Sequence, residues 1–562
     1  MLSFSTDPRV AEDQMHAIIY YLTAFGHVDG DFDRAEKGFV HAYIARLVEH
    51  RARDAMGDIS TPVANELVAK WTRHFHEVAE GIDGDIRDLL DEVVAEGEDS
   101  KGYALSKMKL RCFELFRTFD EDSRAALLAT VDELAAADGR EHPEEAKFRG
   151  ELAALLEAPL DLEELDGEVL DAGAFVFDAI PREMAPARFD HPFFQRTEWD
   201  WKRDKETFAQ EAQADVEILD KVMVELDRRR AEGRGKLTGQ NDFGAFAGQT
   251  PFLDGHVMVH PPKPGHEYEV LVLGDLHGCY SCLKAALLQV DFFEKCQSYH
   301  DAPESNPYPL VVLLGDYIDR GRFSYNGVLR AVLQLYLAVP DHVVPLRGNH
   351  EYYVELNGRI YGAVRPSEAM NDLLTVAPQD MFASYMKLFD ALPCSLAFDQ
   401  FFFVHGGIPR DDTFAEKYVD LSSLNDWDIR FQMMWSDPSQ AEVVPAELQK
   451  QSARFGFGTK QLQRFLQRIG CSTVIRGHER ELSGFKQNVD LPDAKLFTLF
   501  SAGGVNNDDL PEDSSYRQVT PMALTIRLKD GIAHMAPLRI DYEKFNDPEV
   551  NAFFREAVSS KA

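Results

Sequence analysis

Five short apolar runs, each closing on a glycine and a polar residue, organise the chain from Tyr268 to Glu479. They read YEVLVLGD, YPLVVLLGD, HVVPLRGN, FFFVHGG and IRGHE. Helical patterns such as CLKAALLQV and VLRAVLQLYL lie between them. Strands alternating with helices predict an α/β domain, and ligand sites in such folds gather at the carboxyl ends of the strands. Those ends deliver Asp275 and His277, then Asp316, Asp319 and Arg320, then Asn349 and His350, then His405, and last His478. Oxygen and imidazole donors without thiolate suit borderline metals such as manganese, iron or zinc. One such motif is weak evidence; five in order after five apolar runs would need five separate coincidences to be structural only.

The set GDLHG, GDYIDRG, LRGNHE, VHGG, WSDP, RGHE and FSAGG resembles the phosphoprotein phosphatases, calcineurin-like metallophosphoesterases, over about residues 267–540. The resemblance implies a two-sheet β-sandwich flanked by helices. It implies two divalent metal ions, manganese first, with iron or zinc as alternatives. Asp275 and His277 would bind the first metal, Asp316 both, and Asn349, His405 and His478 the second. The nucleophile would be a hydroxide held between the metals, attacking in line. His350 would protonate the leaving alkoxide with Asp319 orienting it, while Arg320 and Arg454 hold phosphate oxygens. Trp435, Ser436 and Asp437 would form the rim. The implied activity is a phosphatase acting on phosphomonoesters, Ser/Thr phosphoproteins before others. GDLHGCY also resembles bacterial members that hydrolyse diadenosine polyphosphates, which keeps a nucleotide hydrolase as the alternative; a non-catalytic scaffold is the third reading. Two departures stand out. Asp275 and Asp316 are 41 residues apart, with the excess in DFFEKCQSYHDAPESNPY, read as a surface loop, and FSAGGVNNDDLPEDSS lacks the Asn-Tyr pair of eukaryotic relatives.

Residues 1–160 read as all-helical, with apolar positions three and four apart at Met15, Ile18, Ile19, Leu22 and at Leu127, Leu128, Val131, Leu134. Two stretches repeat one another: aligning Asp29-Gly30 with Asp138-Gly139 also aligns Glu36 with Glu145 and Phe39 with Phe148. This pair resembles TerB-like helical domains. Asp29, Glu36, Asp138 and Glu145 could hold a calcium or magnesium ion, or simply cap helices. Residues 161–262 read as a linker with an amphipathic helix at 206–232, whose apolar face carries Val216, Leu219, Met223 and Leu226. The aromatic cluster FDHPFFQRTEWDWKRD reads as a docking segment. Residues 263–545 form the expected catalytic domain.

The chain has 562 residues, enough for at least two domains, and a net charge of −36 with both ends acidic. That excludes polyanion binding driven by bulk charge, so no nucleic acid partner is expected. No apolar run of eighteen residues occurs and the amino terminus lacks a signal pattern, so the reading is cytoplasmic, without a membrane partner. Of the six cysteines, Cys279 and Cys282 form a lone CxxC with no second pair, which fits a reducing compartment better than a zinc knuckle. The expected partners are a phosphorylated protein and an unknown partner or ion for the helical domain.

Overall fold

In a computed structural model, residues 4–5, 7–30, 32–57, 59, 61–90, 94–95, 98–135, 142–158 and 175–555 are described. They form two compact units. The first takes in the described residues up to 158 together with 439–456; the second takes in 175–438 and 457–555. Among the described residues no helix is long and apolar enough to cross a membrane.

The first unit is helical: α1 (Pro8–Gly26), α2 (Arg34–Met56), α3 (Pro62–Leu90), α4 (Ser100–Phe116), α5 (Glu121–Ala135) and α6 (Pro143–Glu157). Its core gathers the apolar stripe of α1 (Met15, Ile18, Ile19, Leu22) with Val40, Ile44, Phe75, Phe113, Leu127 and Phe148. The repeated Glu36 and Glu145 are the third residues of α2 and α6. Each closes a capping box, on Asp33 and on His142. Both are nonetheless buried, and burial, with Asp29 and Asp33 close by, pushes the Glu36 pKa up to about 7. Asp138 and Gly139 lie outside the described residues.

Residues 439–456, which the sequence pattern assigns to the catalytic segment, pack with these helices instead. Ala441, Val444 and Leu448 join the helical core. Ser439 donates to Glu114 (2.6 Å), Arg111 to Gln440 (3.0 Å) and Lys109 to Gln451 (2.9 Å). Nothing in the periodicity of 439–456 announces this, because a core shared across more than 300 residues of sequence leaves no local pattern.

The second unit holds two sheets. One has seven strands in the order Phe485–Asp490, Lys495–Leu499, Thr473–Arg476, Phe401–Val404, Ser395–Phe398, Val257–Val259, Phe252–Asp254. The other has six: Phe175–Phe177, Ile532–Arg539, Met522–Lys529, Glu267–Leu273, Tyr308–Leu313, Val343–Pro345. The last three run parallel, with Leu273 opposite Leu313 and Leu313 opposite Pro345. Their near-continuous Val and Leu runs suit strands buried on both faces. Matched registers bring their carboxyl ends level, and the residues that follow each end therefore meet. DFFEKCQSYHDAPESNPY is largely helix, Phe292–Asp301, not loop. Phe292 is buried and Phe293 and Cys296 pack on the core, an amphipathic spacing hidden by the polar residues around it.

The stretch before Glu267 belongs to this unit and is built into it. After α7 (Pro192–Thr197), α8 runs Lys205–Gly233 and buries Phe208, Ala212, Leu219, Val222 and Leu226. It also buries Asp215. That carboxylate takes two hydrogen bonds from the Arg330 guanidinium (2.7 Å each) and one from Trp201 Nε1 (2.8 Å). Arg330 in turn stacks 3.5 Å over Trp199. Lys284, fully buried, pairs with Glu198 and Asp190 from the same aromatic segment. Near the end of α8, Arg229 is buried between Glu225 and Asp341. Removing one partner of a buried, bidentate pair leaves an uncompensated charge. Asp215→Ala is therefore expected to destabilise the second unit by about 3–5 kcal/mol, read as a shift in its denaturant midpoint. A loss below about 1 kcal/mol would mean that Arg330 finds other acceptors.

Candidate metal centre

Asp275 follows the strand Glu267–Leu273 and is fully buried. Its Oδ1 accepts the His478 N–H at 2.8 Å; its Oδ2 is buried without a hydrogen bond. The His277 ring nitrogen Nδ1 lies 2.9 Å from the Ile318 carbonyl. A carbonyl only accepts, so Nδ1 carries the proton and Nε2 presents its lone pair. That Nε2 lies 3.7 Å from Asp275 and 3.5 Å from Asp316. His405 repeats the device. Its Nδ1 faces the Leu314 carbonyl at 3.0 Å, so Nε2 turns towards Asn349 Oδ1 (2.8 Å) and Asp316 Oδ1 (3.4 Å). His478 Nδ1 also reaches Asn349 Oδ1, at 3.0 Å.

All six sequence candidates for metal binding thus meet in one place. Four of them, with His350 beside them, make two sets of three whose donor atoms lie within 4.8 Å of one another: His277, Asp316 and His350, and Asp316, His405 and His478. Asp316 is common to both. The chemistry of the set fits divalent cations. Lone pairs of two carboxylates, one amide oxygen and imidazole nitrogens face each other with too few protons between them. Burial and the Asp316 carboxylate push the Asp275 pKa up to about 7. Burial works against ionising Asp316 as well, yet His405 and His350, when both ring nitrogens carry protons, hold it well below the usual carboxylate range.

The backbone is strained to make this arrangement. Asp316 (φ 54°), Asp319 (69°), Arg320 (66°), His277 (42°) and His478 (72°) all occupy the left-handed region. Such residues cost roughly 1–3 kcal/mol each and cluster at functional sites. Gly348 and Gly477 are required by space: a Cβ on either would lie 2.2 Å from a carboxylate oxygen, of Asp316 and Asp275 respectively.

Beside the cluster, His350 Nδ1 lies 2.7 Å from Asp319 Oδ2. Burial alone would lower the His350 pKa, but Asp316 and Asp319 outweigh it and raise it. Asp319 Oδ1 accepts the Ala369 N–H, and Glu368 takes both the N–H (3.0 Å) and the guanidinium (2.7 Å) of Arg320. The ring of Tyr516 stands 5.4 Å from that of His277. Of the rim residues, Trp435 packs 6.0 Å from His478 and Asp437 takes the fully buried Arg476 at 2.8 Å. Arg454 belongs to the segment 439–456 of the first unit.

Several of these residues escape a sequence reading. Glu368 and Tyr516 lie in stretches without a motif. Glu351 and Arg476 lie inside motifs, LRGNHE and RGHE, where the neighbouring ligands draw the attention. Glu351 holds two strand-end loops together: its carboxylate accepts the N–H groups of Asp316 (2.7 Å), Tyr317 (2.9 Å) and Gly348 (3.0 Å).

Residues 268–481 match the calcineurin-like phosphoesterase family. The chain carries a metallophosphoesterase domain, and the two-sheet unit with its helices is that fold. A probable serine/threonine-protein phosphatase from Encephalitozoon cuniculi is 28% identical over 295 residues, 52% of this chain and 57% of the relative. The serine/threonine-protein phosphatase rdgC of Drosophila melanogaster is 33% identical over 267 residues, 43% of this chain and 36% of the relative. This chain therefore spans between about a third and three-fifths of the length of these two relatives. A solved protein serine/threonine phosphatase from Saccharomyces cerevisiae aligns with a TM-score of 0.37 and 16% identity, over 58% of this chain and 90% of that one.

Glu351→Gln tests the loop clamp. An amide would turn its own donors towards buried N–H groups, and each donor left unsatisfied costs about 1–3 kcal/mol. The expected result is a lower melting temperature together with reduced metal content by elemental analysis. Unchanged metal content would show that the strand ends hold their shape without Glu351.

Proposed function

We propose that the chain is a metal-dependent phosphatase for phosphomonoesters, serine/threonine phosphoproteins in particular. The observation that carries this reading is the gathering of His277, His405 and His478 with Asp275 and Asn349 around Asp316, set beside the His350–Asp319 pair and Arg320. Asp275 and His277 would hold one ion and Asn349, His405 and His478 the other, with Asp316 between. Bound, two cations supply charge neutralisation and an activated water; manganese is the favoured identity, with iron or zinc as alternatives.

The protein's own groups do the rest. His350, protonated and held at Nδ1 by Asp319, points Nε2 towards the metal groups, lying 3.9 Å from Asp316 Oδ2. It is poised to give a proton to the departing alkoxide of serine or threonine. Arg320, anchored on one side by Glu368, has a guanidinium edge to offer phosphate oxygens. Arg454 stands on its sequence motif alone and carries no part of this reading. The helical unit would recruit or sense rather than catalyse. We take the catalytic unit to begin with the segment from Phe175, because α7, α8 and the aromatic cluster are part of its packing.

The deciding assay compares a phosphoserine peptide with diadenosine tetraphosphate on manganese-loaded protein. Preference for the peptide supports the reading; preference for the dinucleotide transfers the same site to nucleotide hydrolysis, and activity on neither, with metal bound, returns the scaffold reading.

His350→Gln should lower turnover on phosphoserine about 10²–10⁴-fold, the usual range for losing a general acid. The loss should be much smaller on p-nitrophenyl phosphate, whose leaving group needs no proton. Equal losses on the two substrates would remove His350 from the acid role.

A further inference from the structure

A second set of ligating side chains lies in the helical unit. Glu12 and His16 stand one helical turn apart on α1, and His74 comes from α3. His74 Nε2 lies 3.9 Å from Glu12 Oε1, and one donor atom from each of the three falls within 4.8 Å of the other two. That is wider than a hydrogen bond. It is close to the separation of two ligands around a tetrahedral ion, whose bonds of ~2.0–2.1 Å put neighbouring donors ~3.3–3.4 Å apart.

The two imidazoles are placed by packing. Both lean on Phe75, which is buried: the His16 ring meets it edge-on at 5.9 Å and the His74 ring at 5.1 Å. Trp71, itself stacked on Phe75 at 5.8 Å, meets the His74 ring at 5.5 Å. Among the described residues neither imidazole makes a hydrogen bond that would occupy its ring nitrogens. Solvated helix faces more often scatter such residues. Here one aromatic bed fixes two rings, from two helices, beside one carboxylate.

We propose that Glu12, His16 and His74 form a zinc-type site that ties α1 to α3, separate from the catalytic centre. Two imidazoles and one carboxylate favour zinc over magnesium or calcium, which take all-oxygen sets, and a fourth position stays open for water. The site would brace the helical unit whichever substrate the catalytic unit takes.

The test uses the full-length chain, stripped with chelator, reloaded with zinc and desalted before elemental analysis. The wild type should retain one zinc per chain more than His16→Ala/His74→Ala, and zinc should raise the melting temperature of its helical unit but not that of the variant. Manganese-dependent hydrolysis of p-nitrophenyl phosphate should stay within twofold of wild type in the variant. Glu12→Gln, which removes no packing, should show the same loss of zinc and guards against a folding defect in the double variant. Equal zinc content in the wild type and Glu12→Gln overturns the proposal, as does a variant that loses zinc and hydrolysis together.

Discussion

The buried Asp316 carboxylate sets the terms for the second unit. Taking a carboxylate out of water costs several kcal/mol, and Asp275 is buried beside it. Protein donors offset only part of that cost: the His350 N–H on Asp316 and the His478 N–H on Asp275. What remains is a negative, lone-pair-rich pocket walled by imidazoles whose protons are committed elsewhere, to the Ile318 and Leu314 carbonyls. Such a pocket is stable in proportion to the positive charge it can recruit. The left-handed backbone at five of its residues, and the two glycines pressed against its carboxylates, are tolerable because the parallel strands behind them are buried at the ends that carry the site and cannot yield.

The same constraint explains the elaborate support around the site. Glu351 ties the loop after one strand to the loop after the next. Glu368 ties Arg320 to the segment that follows His350, and Ala369 extends that tie to Asp319. The Asp215–Arg330–Trp201 cluster and the buried Lys284 lock the segment from Asp190 to Gly233 onto the helices Arg330–Ala338 and Tyr280–Gln289. Charged groups are used as structural pins wherever irregular chain must be held in one place.

Much of this was legible in the sequence, and the reasons differ by element. The strands announced themselves because parallel strands buried on both faces are continuous apolar runs. The six metal-ligand candidates were legible because each follows such a run directly, and the register that levels the strands brings them together. The supporting residues were not. Glu368 and Tyr516 act from loops without periodicity, and Phe292–Asp301 looks like loop because only one stripe of it is apolar. Glu36 and Glu145 showed their repeat but not their burial, since a capping residue and a buried one share the same letter. The packing of Ala441, Val444 and Leu448 among the amino-terminal helices was invisible, because long-range contacts leave no local trace.

That last feature bears on how the chain is made. The core of the helical unit includes three side chains that leave the ribosome only after some 280 further residues have been translated. At synthesis rates of about 5–20 residues per second, the helices would wait on the order of 15–60 s with part of their apolar surface uncovered. The first unit begun thus cannot be finished until most of the second has been translated. A chaperone that shields the nascent helices, or a slow stretch of codons placed after residue 456, would act on that interval.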